Sequence, residues 1–81
     1  MSKVVFGEKV GAKFMSFMVG KEDKELHSAW YTLVEANGQM VTVKDADSPV
    51  GLMEAESRYK AIKKGKEFLS RMKAREEEAA E

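Results

Sequence analysis

The chain has 81 residues, no cysteine, and 14 basic against 14 acidic side chains. That is one small domain without disulfides or thiolate metal sites, and its zero net charge offers no global field to attract a polyanion. No apolar run approaches the roughly 20 residues of a membrane span, and the N-terminus lacks the apolar core of a secretory signal, so the expectation is a cytoplasmic protein with no membrane partner.

The charge is unevenly placed. Residues 1–57 hold six basic and nine acidic side chains, net −3, residues 58–75 hold eight and one, net +7, and residues 76–81 add −4. Any argument for nucleic acid is therefore local.

The first element, "AKFMSFMV" (Ala12 to Val19), is apolar on both alternating faces. Phe14, Ser16 and Met18 share one face, and Met15, Phe17 and Val19 the other. Its length and the bounding Gly11 and Gly20 predict a strand. "KVVF" (Lys3 to Phe6) reads as a separate short strand or the start of a bent one. Gly20 to Glu25 is a charged loop.

"SAWYTLVEANGQMVTVK" predicts a hairpin. Asn37-Gly38 suits a type I′ turn, and the flanks are rich in β-branched and aromatic residues. That turn sets Glu35 against Met40, Val34 against Val41, Leu33 against Thr42, Thr32 against Val43 and Tyr31 against Lys44. Trp30, Thr32, Val34, Val41 and Val43 then share a charge-free face, the expected core. Tyr31, Leu33 and Met40 fall on the other.

"DADSPVG" is turn chemistry, with Ser48 or a neighbour expected to start the helix. From about Leu52, Ala55, Tyr59, Ile62, Leu69 and Met72 recur at helical spacing, with Gly65 and Phe68 beside them. Gly65 costs about 1 kcal/mol against alanine in a helix. On the buried arc it would let the helix approach the sheet, over Trp30 by this reading. The predicted fold class is α+β, a small antiparallel sheet of three or four strands with one long C-terminal helix packed on one face. Residues 1–75 form the domain, and 76–81 an acidic, disordered tail.

Several site motifs are weighed and set aside. Asp45, Asp47 and Glu56 hold the first, third and twelfth positions of a calcium loop, but Pro49 and Val50 fill the fifth and sixth, where a ligand and a glycine belong. "GEKVGAK" lacks P-loop spacing. His27, the single histidine, has no nucleophile beside it in sequence. The expectation is a protein without enzymatic activity, cofactor, metal or small-molecule substrate.

Two surfaces remain. The second sheet face, through Tyr31, Leu33 and Met40, would be an apolar patch that meets a protein partner or a second copy in a homodimer. This is the leading reading, a small binding protein of regulator or inhibitor type, a virus-encoded one included. The alternative is a nucleic-acid module. Lys60, Lys64, Arg71 and Arg75 fall within about 60° of helical arc, a row able to meet phosphates, opposed by Glu67 and the acidic tail.

Overall fold

The structure, a computed structural model, describes the backbone of residues 4–79 and side chains as far as Arg75. Three antiparallel strands run in the order β1 (Phe6–Val19), β2 (Glu25–Ala36) and β3 (Gln39–Thr42), and a short β4 (Glu54–Ala55) pairs with β2 beyond the end of β3. One helix, α1 (Arg58–Ala79), lies across the sheet. The chain is thus a small α+β domain.

The hairpin forms as its turn residues require. Asn37 and Gly38 both adopt positive φ, 52° and 80°, and Val34 faces Val41 and Glu35 faces Met40 in the expected register. The register stops at Thr42. Val43 accepts a hydrogen bond from the amide of Met53, Thr32 donates its amide to the carbonyl of Met53, and β4 sets Ala55 against Trp30 and Glu54 against Tyr31. The expected pairs Thr32–Val43 and Tyr31–Lys44 are thereby replaced. Leu52 to Ser57, expected to open the helix, are bridge, strand and bend. Ser57 rather than Ser48 is the N-cap, its hydroxyl accepting from the amide of Lys60 at 3.2 Å.

β1 is longer than its apolar run predicts. It starts at Phe6, bends through a register shift between Phe6 and Val10, and passes Gly11 without a break. The expected tail at 76–81 begins as helix, since α1 continues to Ala79; Ala80 and Glu81 lie outside the described residues.

α1 packs on the face of β2 that carries Thr32 and Val34. Val34, Val43 and Leu69 form the buried core, with Phe6, Val10, Met53 and Phe68 around it. Phe6 and Phe68 meet edge to face at 5.5 Å. Gly65 sits where the helix comes nearest the sheet. A Cβ there would lie 2.5 Å from Val10 Cγ1 and 2.7 Å from Thr32 Cγ2, so the close approach is real but falls over Val10 and Thr32, not Trp30. Tyr59, expected on the buried arc, is 75% exposed. At about 100° per residue it stands some 120° from Gly65, too far round to reach the sheet.

The helix covers only part of the sheet. From its first turn near Ala61 and Thr32 it runs towards Phe6, with Lys73 reaching Glu8 at 3.6 Å. β1 and β2 continue the opposite way as a two-stranded ribbon, with Phe14–Val19 against Glu25–Trp30. We call this ribbon the arm. It contributes to an elongated outline of 50 × 28 × 20 Å.

Candidate functional site

The expected contact surface is corrected by the burial of Tyr31. Its side chain has no exposed area, Leu33 is half-buried, and Met40 is 42% exposed. Phe17 packs edge to face on Tyr31 at 5.3 Å. Glu54, opposite Tyr31 in register and so on its face, accepts a hydrogen bond from Ser48 Oγ at 2.8 Å, which draws the Asp45–Gly51 loop over that face. Tyr31 is therefore core on its own side of the sheet. The adjacent Trp30, expected in the core, is only partly buried. The choice inverts because β4 and its loop close the face that the hairpin alone leaves open.

The Tyr31 hydroxyl is buried and reaches no protein hydrogen-bond partner among the described residues. Burial, and secondarily the neighbouring Glu54 carboxylate, push its pKa up from the ordinary tyrosine value.

One cluster of exposed apolar side chains lies on the arm. Phe14, Met18 and Leu26 are 54%, 59% and 65% exposed. Phe14 faces Trp30 across the strands and Met18 faces Leu26, so all four share one face, the helix side, past the start of the helix. Phe14 and Trp30 meet edge to face at 5.6 Å. Between the two apolar pairs, Ser16 and Ser28 hydrogen-bond through their hydroxyls at 2.6 Å. The sequence carries a signal for this arrangement. If Gly20 to Lys24 is the tip of a hairpin, Val19 faces Glu25, and Met18–Leu26 and Phe14–Trp30 follow by count.

Apart from the Trp30–Ala55 pair at its root, both edges of the arm lack a strand neighbour among the described residues. β1 pairs only with β2, and β4 reaches β2 only at Trp30 and Tyr31.

A polar cluster closes the root of the arm. His27 Nε2 lies 2.6 Å from Glu54 Oε2, while Ser48 donates to Glu54 Oε1. The carboxylate stands between hydroxyl and imidazole, whereas a nucleophilic couple needs the imidazole beside the hydroxyl. The geometry suits holding the loop to the strand. A shallow cleft of about 400 Å³ opens beside it, lined by Phe14, His27, Glu54, Lys60 and Lys64.

The cationic row of α1 is divided. Lys64 Nζ donates to the carbonyl of Glu54 at 2.6 Å, and Lys60 Nζ lies 3.6 Å from Glu56. Arg71 and Arg75 line a separate cleft with Lys44, Asp45, Phe68 and Met72. On the other flank Arg58, Lys63 and Lys66 surround the exposed Tyr59 and the half-buried Ile62. None of the helices described is long and apolar enough to cross a membrane.

The fold and this surface define a small α+β domain with a projecting apolar hairpin. No protein-family model, curated protein or solved structure matches the chain.

Proposed function

We propose that the protein is a non-enzymatic protein-contact module, of regulator or inhibitor type, that works by presenting its arm to a protein surface, a second copy of the chain first among them. The observation that carries the reading is the cluster of Phe14, Met18 and Leu26, each more than half exposed on one face of the arm. Contiguous apolar surface of this kind marks contact sites in water-facing domains. A two-stranded ribbon without a covering layer is marginal on its own, so the arm gains order as well as burial from a partner. This moves the contact from Tyr31, Leu33 and Met40 to the other face and the other end of the sheet.

The test is a chain carrying both Phe14→Lys and Leu26→Lys. It should keep the helical dichroism of the parent and lose assembly, read as mass by light scattering and as proteins retained on the immobilised chain. Assembly that survives both lysines, or a parent that shows none by either measure, would contradict the reading.

A second reading, nucleic-acid binding through α1, is favoured by Tyr59, exposed among Arg58, Lys63 and Lys66. An aromatic ring set among cations can stack on a base while they meet phosphates. It predicts affinity for a single-stranded oligonucleotide that falls steeply with salt and weakens on Tyr59→Ala. Absence of binding at low salt would end it.

A further inference from the structure

We infer that the arm pairs with the arm of a second copy, β1 against β1, in antiparallel register about a two-fold axis through Ser16. The inference rests on the arm being a protein-contact surface, and it names the occupant and the register.

β1 is an outer strand of the sheet with one edge unpaired among the described residues, and an open strand edge is a template for another strand. Across a two-fold axis normal to the sheet, residues equidistant from the axis face each other on the same side. The segment Phe14–Met18 reads "FMSFM", which nearly repeats itself backwards in side-chain character. With the axis at Ser16, Phe14 faces Met18 of the second copy, Met15 faces its Phe17, and Ser16 faces its Ser16. Moving the axis to Met15 or Phe17 sets the serine against Phe14 or Met18. Moving it to Gly11 sets Lys9 against Lys13.

β2 extends the match. Trp30 faces Phe14 and Leu26 faces Met18 within one chain. Pairing therefore makes a row across four strands: Trp30, Phe14, then Met18 and Leu26 of the second copy. The same row repeats by symmetry, and between the two the Ser16–Ser28 hydroxyl pair is doubled. Phe14, Met18 and Leu26, each more than half exposed in one chain, are brought together by this register.

The flanks agree in charge and space. The register carries the tip loop, with Glu22 and Asp23, towards the Lys9 end of the other β1. The arms alone overlap, so the helices and hairpin turns of the two copies stay at opposite ends. The open edge of β2 does not offer the same fit. Its stretch ends at β4, and the divided row of Lys60 and Lys64 lines the cleft beside it.

The absence of native cysteine makes the register directly testable. Facing residues of an antiparallel pair have Cα atoms about 4.5–5.5 Å apart, within disulfide range. Residues four positions out of register lie roughly 13 Å apart, beyond it. Under mild oxidation the Ser16→Cys chain should form a covalent dimer. Phe14→Cys and Met18→Cys should each form little alone and a mixed dimer when combined. The parent should sediment at twice its 9.1 kDa mass. A parent that stays monomeric to about 1 mM, a dissociation free energy near 4 kcal/mol, overturns the pairing. A dimer that cross-links as well through Phe14→Cys alone overturns the register. A monomer that retains another protein through Phe14 and Leu26 also overturns the pairing, while leaving the arm as a contact surface.

Discussion

The Thr32 hydroxyl donates to the Ala61 carbonyl at 2.7 Å, joining the middle of β2 to the first turn of α1. Both residues have no exposed area. The bond sits beside the close approach at Gly65 and fixes the helix along the strand. Thr32→Val keeps the shape and removes the donor, but the Ala61 carbonyl retains its place in the helix ladder. The expected cost is about 1 kcal/mol, measured as a lower denaturant midpoint with unchanged slope.

Gly65→Ala separates helix propensity from packing. In an exposed helix the change stabilises by about 1 kcal/mol. Here the added methyl meets the branched tips of Val10 and Thr32 inside 3 Å. Overpacking of this kind costs about 1–3 kcal/mol, so the variant should be less stable than the parent. A more stable variant would show that the helix lifts from the sheet without penalty.

Tyr31 predicts an alkaline limit on stability. Its folded pKa is raised, first by burial and then by Glu54, so the folded chain holds the phenolic proton more tightly than the unfolded chain does. The corresponding stability is fully present below the unfolded value near 10 and is lost as pH rises through the folded value. Tyr31→Phe removes this component. Because the buried hydroxyl has no protein partner among the described residues, the variant should be at least as stable as the parent at pH 7. Denaturant titrations of both chains between about pH 8 and 11 provide the check. Parallel curves would contradict the assignment.

Glu54 holds three segments together, through Ser48, His27 and its own pairing with Tyr31. Glu54→Ala should loosen the Asp45–Gly51 loop first, seen as faster amide exchange at residues 46–51. The stability loss should be about 1 kcal/mol, because the carboxylate and imidazole are 19% and 29% exposed and partly replace their bonds with water.

The parts of the fold legible in the sequence are those fixed by local chemistry. Asn37-Gly38 specified the turn and the register to Thr42, and the spacing of Ile62, Leu69 and Met72 specified the helix. β4 was not legible, because two residues carry no periodic signal and their strand character comes from the backbone bonds around Met53. Ala55 matched the helical spacing by coincidence of count. Tyr31 and Trp30 were exchanged for the same reason, since a loop held by Ser48 and Glu54 decides which face is closed. The arm was half legible. Its apolar strand was evident, but its exposure depends on where α1 begins, and that follows from the Ser57 cap rather than from any residue of the arm.

The most direct test of an arm that pairs with a second copy is amide hydrogen exchange across a dilution series. Expected is strong protection of residues 14–19 at high concentration, lost on dilution, while residues 31–34 and the helix around Ala61 to Leu69 stay protected throughout. Exchange at 14–19 that is fast at every concentration would contradict the pairing.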